Sequence, residues 1–299
     1  LSVVSCQERG ENASQTDKSG ILALLTTDNR QPTTPKKVPD IERQDRHWSR
    51  AAARYDDLFL DPFRAGVENP LLDSVLAVPE PGSKAVADLG CGTGPLLPHL
   101  VGRFGQVVAL DFAPGMIAKA KKRLGAEKAA GKVTFLVRKM HELDDFQGAF
   151  DVAVAVNSIV MPDVRDIDRT LLAIRAALKP GGVFLGILPA MDAIHYHTML
   201  LYDEALDRGL DVEEAERHAS FQGEHHFYEF AFGRFQFQGL RQKFWQPFEI
   251  EHRFAKAGFA RVELTKVLYP WDDTITGGPA FAAHPRSWDW SFRAVVAEG

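Results

Sequence analysis

Cysteine is scarce. Cys6 and Cys91 are the only two in 299 residues. Two thiols build neither a disulfide framework nor a cysteine-based zinc site, so the simplest setting is a reducing, cytoplasmic one. Long apolar runs are missing as well. The longest, near Gly20–Leu25 and Val183–Met191, fall short of the ~18 residues that a spanning helix needs. Leu1–Gln15 lacks the basic and apolar regions of a secretory signal. Clustered positive charge is absent from a chain of net charge −5, which argues against a nucleic-acid backbone as partner. His218, His225 and His226 follow no standard ligand spacing, so no metal is expected. What the chain does have is a globular composition, 45% apolar and 25% charged, enough for a sizeable core.

Residues 1–40 read as a disordered tail, polar and interrupted by Pro32, Pro35 and Pro39. From Ile41 through Trp48, Ala52, Tyr55 and Leu58 the apolar positions keep helical spacing, and a second helix is expected over Asn69–Val78. The rhythm then changes. Ala85–Leu89, Val107–Asp111, Val133–Val137, Phe150–Val156 and Gly182–Leu188 read as buried strands. Helices from Leu96, over Pro114–Leu124 and over Asp163–Leu178 lie between them. That alternation means βαβ units and an α/β fold with a largely parallel sheet.

Residues 190–246 depart from it, with a helix over Met191–Leu210 and then an aromatic stretch. Nine of the thirty aromatic residues fall in the 25 positions from Phe221 to Trp245. Tyr228, Phe230 and Phe232 alternate, and Gly233-Arg234 can turn them into a hairpin with Phe235 and Phe237. These rings are either a lid around an apolar acceptor, with Tyr228 and Phe230 on the substrate side, or a local core or homodimer face. Residues 247–299 complete the same domain with helix Pro247–Ala257, strand Arg261–Leu268 and strand Trp288–Ala297. In the last strand Trp288, Trp290, Phe292 and Ala294 alternate with Asp289, Ser291 and Arg293, as in an antiparallel strand open to water on one face.

Chemistry concentrates after the first strand, in Asp88-Leu-Gly90-Cys91-Gly92-Thr93-Gly94. Glycines there form a tight strand-to-helix turn or let a ligand approach the backbone, and Gly94 would let the next helix start close to it. The spacing is not G-x-G-x-x-G, because the third glycine comes one residue early and Pro95 fills its place. Asp88 would also repel a pyrophosphate. A ligand with an ammonium and no phosphate suits the loop better than NAD. Asp111 follows Gly90 by 21 residues; a carboxylate ~20 residues past such a loop can hold both ribose hydroxyls, although it can equally cap the helix that follows.

With Val108–Met116, Phe150–Val154 and Leu178–Phe184 in order and register, the chain resembles the class I S-adenosylmethionine-dependent methyltransferases over Ala85 to Leu188. The resemblance implies a Rossmann-like three-layer sandwich, with a mostly parallel seven-stranded sheet whose last strand is antiparallel, an N-terminal helical cover and an insertion after strand five. It implies S-adenosylmethionine as cofactor and S-adenosylhomocysteine as product. Gly90, Cys91, Gly92, Thr93 and Gly94 would then lie along the methionine moiety with Asp88 toward its amino group. Asp111 would hold the ribose, and Phe112 and Met116 would flank the adenine. Asn157 and Ser158 would face the sulfonium, and Tyr55 would belong to the cover. Lys139 stands where the family often has an acid that accepts from adenine, and lysine has no acceptor; recognition there would rest on backbone groups and Met140.

The acceptor is expected to be a small or medium-sized organic molecule. Asp192, His195, His197 and Tyr202 follow the fifth strand, whose end should border the cleft. His195 and His197 are the candidate general bases, or else a solvent-facing and a capping histidine. The competing functions are an NAD(P)-dependent oxidoreductase and a non-catalytic cofactor-binding protein.

Overall fold

The computed structural model describes residues 61–125, 131–220, 227–237 and 240–298. The expected tail and the helix through Tyr55 lie outside the described residues. Strand β1 (Ala85–Leu89) sits mid-sheet, between β2 (Gln106–Asp111) and β4 (Phe150–Val156). The seven-stranded order runs β3 (Val133–Val137), β2, β1, β4, β5 (Leu178–Leu188), β10 (Ser287–Val296), β9 (Phe259–Tyr269). β10 alone runs opposite to the other six strands, antiparallel to both β5 and β9. β5 begins four residues before the expected Gly182, directly at the end of the preceding helix, and its pairing to β4 is irregular there.

Alternate strand residues feed two cores. Val86, Val107, Val152 and Ile187 pack with α1 (Pro70–Leu76), α2 (Leu97–Val101), α3 (Pro114–Leu124) and α5 (Met191–Asp207). Ala87, Leu110, Ala153 and Phe184 pack on the other side with α4 (Val164–Ala177) and α7 (Pro247–Lys256). On α4 the apolar spacing of Ile167, Leu171 and Ile174 puts all three at 0% exposure, and each such burial stabilises the helix by about 1.5–3 kcal/mol. Asp163 caps that helix through Arg165 N, and Asn69 caps α1 through Leu71 N.

The final strand corrects the expectation of a water-facing side. Ser291 is 5% exposed, because α1 and α5 lie over that face of β10. Asp289 and Ser291 therefore face the protein interior, whereas the Arg293 side chain, 42% exposed, reaches Glu263.

The insertion departs from expectation in detail. The helix ends at Asp207, and a further helix, α6 (Val212–Ala219), starts on Asp211, whose carboxylate accepts from Glu214 N at 2.8 Å. Beyond it lies a three-stranded antiparallel sheet, β6 (Phe227–Glu229), β7 (Arg234–Phe237) and β8 (Leu240–Lys243). The first strand of the expected hairpin stops early, because Phe230–Phe232 wind into a 3₁₀ turn closed by Gly233 at φ +58°. A side chain at Gly233 would meet Phe244 O at 2.4 Å, so the turn admits only glycine.

Candidate cofactor and acceptor site

The C-terminal ends of β1, β4, β9 and the start of β10 surround a cavity of about 280 Å³. Sheet parity places two carboxylates here, of which Asp88 lines the cavity and Asp111 lies behind the Gly92 loop. Asp88 and Asp111 stand on the same face of adjacent parallel strands, with Ala109 paired to Asp88. Gly90, Gly92 and Gly94 all have positive φ (+69°, +54° and +78°), the left-handed region that favours glycine. Their reasons differ. A Cβ at Gly90 would lie 2.5 Å from that of Ser158, and one at Gly94 would meet Leu97 Cδ1 at 2.9 Å and Ala120 Cβ at 3.1 Å. Those two glycines serve packing. Gly94 does not line the cavity; it seats α2 against α3. A Cβ at Gly92 would meet nothing within 4 Å, and Gly92 lines the cavity. Its backbone is bare toward the cavity.

Asp111 holds the loop in place. Its carboxylate accepts from Gly92 N at 3.0 Å and from Ala113 N at 2.8 Å. It does not cap α3 as a helix N-cap; that position is Ala113. The two bonds leave acceptor capacity on a carboxylate with about four lone-pair sites. Burial raises its pKa, against the pull of the two N–H donors. Asp88 is deeper and less satisfied. It is 3% exposed, and its Oδ2 has no hydrogen-bond partner. Burial first, and the neighbouring Asp111 second, push its carboxyl up to about 7. Cys91 and Thr93 line the same cavity, both buried, and burial, with Asp88 and Asp111, raises the Cys91 thiol well above its usual range.

An orphaned buried carboxylate oxygen beside a bare glycine backbone is what an ammonium-bearing ligand would complete. The residues present therefore fit the amino-acid portion of S-adenosylmethionine. Phe112, Met116, Lys139 and Met140 follow β2 and β3 beside Asp111 and lie off the lining of this cavity. Met116 is 2% exposed, Met140 reaches the Gly90 turn, and Lys139 pairs with Glu142 at 3.9 Å.

Other expected residues lie off the cavity lining. Ser158 does not face the cavity: its hydroxyl donates to Leu89 O at 2.8 Å and clamps β4 to β1. His197 is 9% exposed, packs against Trp271 and Phe281, and bonds Thr276 O through Nε2 at 2.8 Å. Burial lowers its pKa. Its ring is held within the packing, off the cavity wall. His195 is exposed on the opposite side of α5 and stacks on Phe230 at 3.9 Å. Asp192 accepts from Trp290 Nε1 at 2.9 Å, and Tyr202 packs on the core. None of these lines the cavity. The side chain of Tyr228 lies outside the described residues.

The wall is built instead by residues whose sequence context gave no signal. Asp289 Oδ2 accepts from Tyr269 Oη at 2.8 Å and from Asn157 Nδ2 at 3.3 Å, while Oδ1 accepts from Ala190 N at 3.2 Å. Burial raises the pKa of Asp289, against those three donors, and raises that of Tyr269 well above its usual value. Trp288, Val160, Ile194, Gln242 and Phe244 complete this end. Asn157 lines this end of the cavity, with φ +47°. A second cavity, about 400 Å³, opens at the opposite end of β4 and β5 around Lys84, Lys179 and Arg293. It is remote from the glycine loop, and Lys179 there is paired with Asp151 at 2.7 Å.

Residues 86–182 match the family model of a methyltransferase domain. The chain is 43% identical over 86 residues to magnesium-protoporphyrin O-methyltransferase of Rhodobacter capsulatus, covering 29% of this chain and 37% of that protein. It is 36% identical over 124 residues to ubiquinone biosynthesis O-methyltransferase of Xanthomonas axonopodis pv. citri, covering 40% and 50%. The chain thus spans half or less of the length of these two curated relatives. A solved structure of a SAM-dependent methyltransferase from Methanosarcina mazei superposes with a TM-score of 0.52 at 17% identity, over 78% of this chain and 99% of that one; a likeness that distant establishes the fold alone.

Proposed function

We propose that this chain is a class I S-adenosylmethionine-dependent methyltransferase that moves a methyl group from S-adenosylmethionine to a small or medium-sized organic acceptor; the methyltransferase-domain match over residues 86–182 supports that reading. One observation carries the reading: Asp88 Oδ2, buried and unpartnered, borders the bare backbone of Gly92, which Asp111 pins from the next strand. When bound, the cofactor supplies a methyl group on positively charged sulfur, already activated toward nucleophiles. The chain's own residues then have positioning work. Asp88 pairs the ammonium, Gly92 admits the ligand's close approach, and Asp111 offers its remaining lone pairs to the ribose. Phe112, Met116, Lys139 and Met140 lie where the adenine would follow. Asn157 and the apolar groups Val160, Ile194 and Phe244 shape the acceptor end and keep water from it.

A dinucleotide is disfavoured by the same carboxylate pair, which would face its pyrophosphate. The Phe232 ring, 60% exposed, is where a second copy of the chain would seat if the insertion pairs protomers. Among the described residues no helix is long and apolar enough to cross a membrane.

Calorimetric titration with S-adenosylhomocysteine and with NAD, followed by mass-spectrometric detection of methylated products over an acceptor panel, tests the reading. Binding of S-adenosylhomocysteine with methylated product supports it. Binding of NAD in its place overturns it, and tight cofactor binding without turnover over the whole panel favours a non-catalytic binder.

A further inference from the structure

Buried polar side-chain atoms rarely lack partners in a folded protein. Among the described residues six do, and three of them, Asp88 Oδ2, Asn157 Oδ1 and Trp288 Nε1, belong to residues that line the same cavity. Asp88 is accounted for by the cofactor's ammonium. The other two lie at the acceptor end and ask for opposite things.

The orientation of Asn157 is fixed by its neighbour. Its Nδ2 donates to Asp289, and a flipped amide would set two oxygens against each other, so the orphaned atom is the acceptor. The Trp288 indole is a donor only. Its ring is held by the Lys266 ammonium, 3.4 Å from the ring centroid. Asp289, with three donors already on it, keeps room for about one more. Between these groups the wall is apolar, from Val160, Ile194 and Phe244. The charge around it is one-sided. Asp61, Asp88 and Asp289 line the cavity, and none of the described lining residues is Lys, Arg or His.

We propose that Asn157, Trp288 and Asp289 form a recognition site for a neutral, flat acceptor that carries a hydroxyl beside a second oxygen, and that the site turns carboxylate acceptors away. The hydroxyl donates to Asn157 Oδ1 or to the open position on Asp289, and the second oxygen accepts from Trp288 Nε1. Each orphan is then satisfied, and no cation is needed. A carboxylate would bring a further negative charge to a wall that already has Asp61 and Asp289 and would leave Asn157 Oδ1 without a donor. The inference rests on the cofactor reading of the other end of the cavity, since that reading removes Asp88 from the acceptor's share.

The test uses the full chain loaded with S-adenosylhomocysteine and three probes: catechol, phenol and salicylate. Calorimetry should show catechol binding at least tenfold more tightly than phenol, which lacks the second oxygen, and at least tenfold more tightly than salicylate, which is anionic. In Trp288→Phe the preference for catechol over phenol should fall to within twofold, with S-adenosylhomocysteine affinity unchanged. Nitrogen-15 spectra of the wild-type indoles supply a reading that survives a variant that does not fold. Trp245, Trp271 and Trp290 already donate their N–H groups within the protein, so catechol should move one indole signal and phenol should not. Equal affinity for catechol and phenol, salicylate as tight as catechol, or unmoved indole signals overturn the inference and leave the cofactor reading standing. Failure of the wild-type chain to bind S-adenosylhomocysteine overturns both.

Discussion

Binding of the cofactor's product should expel a proton. With its carboxyl pushed up to about 7 by burial and by Asp111, Asp88 is about half protonated at pH 7 and about nine-tenths protonated at pH 6. An incoming ammonium favours the carboxylate and returns the group to its ordinary range. Asp88 should therefore release about 0.5 proton at pH 7 and about 0.9 at pH 6, offset at pH 7 by an uptake of about 0.1–0.2 proton by the ligand's amino group if it titrates near 7.7–8.0. Because only the ionised carboxyl binds well, affinity should rise about fivefold from pH 6 to pH 7. The sign for stability is the reverse. A carboxyl whose folded pKa lies above its unfolded value favours folding when protonated, so Asp88 costs the ligand-free protein progressively more as pH rises from about 4 to 7. The full cost is of order 4 kcal/mol, and the bound ligand relieves it. Calorimetry in buffers of different ionisation enthalpy counts the protons directly. A binding enthalpy independent of buffer, or the same proton count in Asp88→Asn, would refute the assignment of the ammonium to Asp88.

Asp111→Ala removes the acceptor of two backbone N–H groups together with the ribose anchor; S-adenosylhomocysteine affinity should fall more than a hundredfold by calorimetry, at about 1.5–3 kcal/mol per charged hydrogen bond, and unchanged affinity removes the ribose role. The glycines should separate by their surroundings. Gly94→Ala, with Leu97 and Ala120 within 3.2 Å of the added carbon, should lower the melting temperature, at a cost of about 1–3 kcal/mol, whereas Gly92→Ala, in open space, should lose more in cofactor affinity than in stability; the opposite pattern in thermal melts and titrations would contradict the geometry. His197→Ala should destabilise the fold by about 1–3 kcal/mol through the unpaired Thr276 carbonyl and the vacated volume, while His195→Ala should leave methyl transfer within about twofold, since its ring lies outside the cavity; a large loss of kcat in His195→Ala would restore it as a base.

What was legible in the sequence is what local physics dictates. The strands of the parallel sheet announce themselves because burial on both faces demands continuous apolar runs, as in Val107–Asp111 and Phe150–Val156. The glycine loop is legible because only glycine tolerates its backbone, yet the sequence does not separate the three roles. Gly90 clears Ser158, Gly94 clears Ala120 and Gly92 faces open space, and that division depends on neighbours 26 to 68 residues away. The acceptor end was invisible for a related reason. Asp289 sits on the polar side of an alternating strand, where solvent is the ordinary partner, and nothing within β10 shows that α1 and α5 cover that side. Its carboxylate meets Asn157 only because β10 inserts antiparallel beside β5, bringing Trp290 opposite Leu188. The two histidines misled for the converse reason. Proximity in sequence to the end of β5 placed them near the cleft, but helical rotation on α5 gives the cavity Ala193 and Ile194 and turns His195 and His197 to other sides. A helix starting at a cleft presents only one stripe to it, and the position of that stripe is set by what the helix packs against.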